Sequence, residues 1–296
     1  MSFFLYQGSP APAPDRPAID AADRGFQLGD GVFDTLTAPG GRPFALERHL
    51  ARLQAAAAFL GFEPPGERLS AVVADVAKRL DGRDAILRTT VSRGLSARGL
   101  WPAEPPSPTI VVTAQPWSRS LIGQPATLSV GKVPRNERSP VSRLKAVSYL
   151  DNILAAREAQ AEGCDDALLL NLEGRPVCST IANVFILDGG RLLTPPTSEG
   201  CLDGILRAIV LEEAPLLGIE VGEVPFALSD LLAAECCFLT NSVRLLRPVR
   251  SVAGTPMKVS SFPGALLARL LARIERDTGA AIAFGEISPD ITRSPS

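Results

Sequence analysis

A lysine ahead of a helix, a glycine at a helix start and a few arginines are the residues here that could do chemistry. Lys145 precedes the Tyr/Leu/Ile-bearing stretch AVSYLDNILA. A lysine amine serves as nucleophile or base only when partly desolvated, so that it is available near neutral pH. Its setting permits such burial, and a solvated surface lysine is the other reading. The run Cys201–Arg207 (CLDGILR) opens a helix at Gly204. The free N–H groups of a helix start, backed by the helix dipole, attract anions. A plain glycine entry to a core helix is the alternative. Arg98, in RGLSARG, could pair bidentately with a carboxylate or stay solvated in its loop. Cys178 alone reads as a small buried hydrophobe.

Elements must hold these residues in place. A short strand is expected over Phe3–Tyr6, followed by a Pro/Ala loop. DRGFQLGDGVFDTLTAPGGRPF reads as strand–turn–strand, with Pro39-Gly40-Gly41 as the hairpin signal. LERHLARLQAAAAFLGF carries apolar residues at helical spacing and stops at Gly61. A second helix, ERLSAVVADVAKRL, follows the Pro64-Pro65 break, and DAILRTTVSRG and PTIVVTAQP read as strands. Beyond the connector at 117–125, the pattern predicts a strand at ATLSVGKV and a helix from about Ser148 to Glu162, ended by Gly163. Strands follow at DALLLNL, NVFIL, RLLTP and ECCFLTNS. Helices are expected at GILRAIVLEEAPLLG and PGALLARLLARIERDTG. The fold class is α+β in two domains: 1–116, then the connector, then 126–286. A Pro/Ser-rich tail at 287–296 is expected to be mobile.

Composition narrows the function classes. With 296 residues, 46% apolar and 21% charged, the chain has ample length for buried cores. A formal net charge of −2 and the lack of a basic block make nucleic acid an unexpected partner. No apolar run reaches the ~18 residues of a membrane span. The N-terminus lacks the basic start and apolar core of a signal peptide. Five cysteines without a C-x-x-C pair read as reduced thiols of a cytoplasmic protein. One histidine, His49, and no clustered ligands argue against a metal site.

Several motifs agree in order and spacing with a known family. K-x-x-x-Y-L-x-N-x-L-A (Lys145, Tyr149, Leu150, Asn152, Leu154, Ala155), the following Glu158–Asn171 segment and GFQLGDGVFDTL at 25–36 resemble the fold-type IV, or class IV, aminotransferases. The resemblance spans about residues 23 to 250. It implies pyridoxal 5'-phosphate bound covalently through Lys145. It also implies a phosphate site from Arg52, from Gly204, Ile205 and Leu206, and from Ser242. Leu206 stands where threonine is usual, so only a main-chain contact survives there. Asn183 falls in the cofactor-binding segment, and Phe26 and Arg98 fall in substrate-binding ones. Amino acids and 2-oxo acids are the implied substrates, and a homodimer the implied assembly. The lysine helix looks like that of branched-chain and D-amino acid aminotransferases. The RGLSARG loop looks more like aminodeoxychorismate lyase, which releases pyruvate.

One position departs from the family pattern. Five residues before Asn183, where the family carries the glutamate that pairs with the cofactor's ring nitrogen, this chain has Cys178. A carboxylate favours the protonated ring, which is the electron sink of the chemistry. Losing it removes about 1–3 pKa units of support, roughly 1.4–4 kcal/mol. Three readings stay open at this stage: a thiolate that stands in weakly, a neutral ring suited to elimination, and a cofactor-binding protein with little turnover. Transamination, with Lys145 also moving the proton as general base and acid, is the activity the resemblance favours.

Overall fold

The computed structural model describes residues 4–7, 19–64, 66–96, 98–102 and 105–282. The tail at 287–296, Phe3, Pro65 and most of the N-terminal Pro/Ala loop lie outside these residues. The chain divides into two compact units: Met1–Ser118 with Leu144–Ser148 and Asp277–Ala280, and the remainder.

The first unit contains β1 (Phe4–Gln7), α1 (Arg24–Leu28), β2 (Gly31–Ala38), α2 (Leu46–Phe59), α3 (Gly66–Arg79), β3 (Ala85–Ser92) and β4 (Thr109–Pro116). The strands form an antiparallel sheet in the order β1-β4-β3-β2. Alternate residues of β2 and β3 (Val32, Leu36, Leu87, Val91) bury against Leu50 and Leu53 of α2 and Leu69, Val72 and Val76 of α3. β3 and β4 alternate between buried and more exposed residues, whereas β2 is buried along nearly its whole length.

Two expectations fail here. DRGFQL is not a strand but the short helix α1, because the Asp23 side chain accepts the Gly25 N–H at 2.8 Å and caps a helical turn. The hairpin after Pro39-Gly40-Gly41 also does not form. β2 takes β3 as its neighbour, and the chain returns with a single Phe44 N–H to Thr37 O bond before α2 begins.

The second unit contains β5 (Ala126–Val130), α4 (Leu150–Ala161), β6 (Asp166–Leu170), β7 (Pro176–Ser179), β8 (Asn183–Asp188), β9 (Arg191–Thr194), α5 (Ile205–Glu213), β10 (Glu220–Glu223), α6 (Leu228–Ala233), β11 (Cys236–Asn241), β12 (Leu245–Val252) and β13 (Thr255–Pro256), with α7 (Phe262–Thr278) running from it into the first. Sequence patterning misses β7, β10, α6, β12 and β13. The order is β10-β9-β8-β11-β12-β5-β6-β7, and a further β7–β8 pairing closes six of these strands into a ring. Leu128, Leu168, Val184, Ile186, Leu239 and Val249 pack together as its core. Closure leaves no free edge between β7 and β8, and Cys178 sits at that seam.

The lysine segment belongs to the first unit although its neighbours in sequence belong to the second. Phe33 N–H donates to Lys145 O at 2.8 Å, and Val147 N–H donates to Gly31 O at 2.9 Å. Leu144–Ser148 therefore lies as an extra antiparallel rung on the outer edge of β2, with Val32 facing Ala146. Gly31 makes this close approach possible. A Cβ there would lie 2.8 Å from Val91 O and 3.3 Å from the Val147 side chain. Gly31→Ala is expected to lower stability by about 1–3 kcal/mol. Urea unfolding will read that loss, and hydrogen exchange should show the Val147 amide less protected than in the wild type.

Candidate active site

In the first unit, β2 presents consecutive residues to opposite faces. Phe33 carries the half-buried Lys145, whose Nζ lies 4.5 Å from the ring centroid. The Arg88 guanidinium lies 3.6 Å from the same ring. An ammonium over an aromatic face is held by the ring quadrupole while it sheds part of its water. Lys145 thus has the partial desolvation that a reactive amine requires.

Asp34 points to the other face and is 4% exposed. It accepts from Arg52 Nη2 at 2.8 Å and Nε at 2.9 Å, and lies 2.8 Å from His49 Nδ1. His49 and Arg52 stand one α2 turn apart, so both reach one carboxylate. Burial by itself would push the Asp34 carboxyl up. The His49 and Arg52 contacts outweigh burial and hold it at about 2. Arg52 is thereby locked in a bidentate pair. Asp34 and His49 escaped sequence reasoning, although the lone histidine three residues before Arg52 was the available signal.

The GDG aspartate of this unit is structural. Asp30 accepts from Arg24 Nε at 2.7 Å and Arg93 Nε at 2.9 Å. Arg24 in turn donates to Gly99 O and Leu100 O, and so fixes the loop that carries Arg98. Arg98 and Phe26 are both exposed, Phe26 by 75%.

In the second unit, the glycine at the start of α5 leaves the first turn without a side-chain cap. Its first N–H groups have no intrahelical partners. Ile205 and the buried Leu206 offer main-chain N–H only. Asn183 donates to Leu202 O at 2.8 Å, and a Cβ on Gly204 would come within 2.1 Å of its Oδ1. Asn183 therefore shapes the approach to the helix start. Ser242 lies half-buried in the β11–β12 turn, which Asn241 Oδ1 fixes by accepting the N–H groups of Val243 and Arg244.

Cys178 pairs across β7 with Leu169 and Asn183. It packs among Ala155, Ala159, Leu169 and Cys201. Burial pushes its thiol up to about 11, with the Arg135 charge opposing and the Asp166 carboxylate assisting. Burial thus favours the neutral thiol over the thiolate. Among the described residues no group of three His, Cys, Asp or Glu could hold a metal ion. None of their helices is long and apolar enough to cross a membrane.

Comparison with known proteins fixes the class. The family model for Amino-transferase class IV matches residues 31–252. A Methanocaldococcus jannaschii protein, provisionally named a branched-chain-amino-acid aminotransferase, is 35% identical over 242 residues, covering 80% of this chain and 83% of that one. The aminodeoxychorismate lyase of Bacillus subtilis is 31% identical over 237 residues, covering 78% and 80%. The crystal structure of a branched-chain aminotransferase from Thermoproteus uzoniensis shares the fold, with a TM-score of 0.84 at 24% identity over 93% of this chain and 95% of that one. The chain belongs to the class IV aminotransferases, enzymes of fold type IV whose cofactor is pyridoxal phosphate. The residues present suit that group: the first unit offers a partly desolvated amine, and the second an uncapped helix start for a phosphate.

The Asp34 clamp makes a pH prediction. Its carboxyl lies below the 3.8 of an unperturbed aspartate. The clamp therefore stabilises the fold fully above pH ~4, and this contribution of about 2 kcal/mol is lost as pH falls towards ~2. Stability measured against pH should show this loss in the wild type and not in Asp34→Asn.

Proposed function

We propose that the protein is a pyridoxal-phosphate-dependent aminotransferase that moves an amino group between an amino acid and a 2-oxo acid. The observation that carries this reading is Lys145, fixed by its own backbone on β2 with its amine against Phe33, in a chain of this family. When bound, the cofactor supplies an electron sink for the charge left at the substrate carbon. Lys145 would hold it covalently, and once the substrate's amine had displaced it, the freed lysine amine would serve as general base and acid for the proton shift at that carbon. Arg52, oriented by Asp34, and the N–H groups of Ile205 and Leu206 hold the phosphate, with the Ser242 hydroxyl. Asn183 keeps the loop at Leu202 in place for them. Arg98 takes the substrate carboxylate, and Phe26 lines the substrate's path.

Cys178 stands at the ring nitrogen and offers no charge, so turnover is slow or specialised. The likeness to the lyase, together with this thiol, favours a second reading: an elimination that releases pyruvate. A third is binding of the cofactor with little turnover. The assembly is a homodimer, and the five free thiols suit the cytoplasm.

Three measurements separate these readings. Oxo-acid formation from a panel of L- and D-amino acids reports transamination. Pyruvate and p-aminobenzoate formation from aminodeoxychorismate reports the lyase. Lys145→Ala is expected to abolish both and the visible absorbance of the covalently bound cofactor; a variant that kept that absorbance would sink the lysine assignment. Cys178→Glu should raise transamination at least tenfold if the missing carboxylate limits it.

A further inference from the structure

Arg135, in the loop after β5, has surroundings that its charge does not match. Its Nε donates to Gly200 O at 3.1 Å, its Nη1 to Asn152 Oδ1 at 3.3 Å, and its Nη2 to Ser142 O. Among the described residues none of these acceptors is a carboxylate. The same contacts bring it to Cys178 from two sides. Gly200 precedes Cys201, which packs on Cys178. Asn152 donates from its Nδ2 to Thr180 O at 2.6 Å, two residues beyond the thiol.

The groups around Cys178 can be taken element by element. α4 contributes Ala155, Ala159 and the neutral amide of Asn152. β8 contributes Asn183, and the loop before α5 contributes Cys201, whose thiol burial pushes up to about 12. Among the described residues, the charges that act on the thiol are those of Arg135 and Asp166. The Asp166 Oδ1 already accepts from the Thr180 hydroxyl at 2.5 Å, and from the Ala167 N–H at 2.8 Å. Of the two charges, the guanidinium acts more strongly on the thiol. A glutamate at 178 would answer it. A neutral thiol leaves it unanswered.

We propose that Arg135 is a positioning residue whose unanswered guanidinium, beside the uncharged Cys178, keeps the cofactor's ring nitrogen free of a proton. This rests on the reading that Cys178 adjoins that nitrogen. A cation nearby disfavours a second positive charge, and no carboxylate at position 178 offsets it. The substitution at 178 therefore does more than remove a helpful charge. It converts a cation that a glutamate would have neutralised into one that acts on the ring. Such a site suits reactions that need little charge delocalised into the ring, such as elimination, over full transamination.

The test is 15N NMR of the protein reconstituted with pyridoxal phosphate labelled at the ring nitrogen, whose resonance moves strongly on protonation. The wild type at pH 7 is expected to show an unprotonated nitrogen; a protonated one overturns the proposal without any variant. Arg135→Gln should raise the protonation midpoint by about 1–2 pH units, while Arg135→Lys, which keeps the charge, should leave the nitrogen unprotonated. If the glutamine variant stays at the wild-type midpoint, the thiol alone sets the state and Arg135 has no part in it. Circular dichroism and thermal melting verify that each variant folds. Cys178→Glu, with its carboxylate answering Arg135, should yield a protonated ring. A signal indifferent to Cys178→Glu would mean that the thiol does not adjoin the ring, and the site reading would fall for a reason separate from Arg135.

Discussion

The outer edge of β2 is the constraint on which the placement of Lys145 depends. An edge strand offers unpaired N–H and C=O groups. Here Phe33 and Gly31 spend theirs on Lys145 and Val147. Backbone hydrogen bonds thus set the Lys145 main chain, from which its amine reaches the Phe33 ring. The same strand carries Asp34, so one β-strand sets both the position of Lys145 and the orientation of Arg52. A change on β2 would reach both residues at once.

Buried charge in this protein is handled in two contrasting ways. At Asp34, two partners offset the cost of burial, and the carboxylate stays ionised well into acid. At Cys178, burial meets no adequate partner and the group stays neutral. The first arrangement fixes the Arg52 guanidinium in one orientation. In the second, the acceptors of Arg135 among the described residues are neutral.

Much of this was legible along the chain. Helical spacing located α2, which buries one face and shows it as a period, and β-rich runs marked β3, β4 and β8. The strand β7 was not legible. It is four residues long, buried throughout and carries no alternation. β12 was hidden by Pro248 and two arginines, Arg247 and Arg250, although Pro248 lies opposite Phe238 in the ladder. DRGFQL misled for a local reason: its apolar residues suit a strand, but the Asp23 cap outweighs that preference over one turn.

By itself, the sequence determined the α+β class, the lysine motif, the glycine entry to α5 and the cysteine at position 178. These are local matters of residue type and spacing. Only the tertiary structure decided that Leu144–Ser148 joins the first unit, that Asp34 clamps Arg52, and that Arg135 lies beside Cys178. Each of these joins residues well separated along the chain. Their contacts depend on which strand edge is free and which side chain is buried, and both are set only when the sheets assemble.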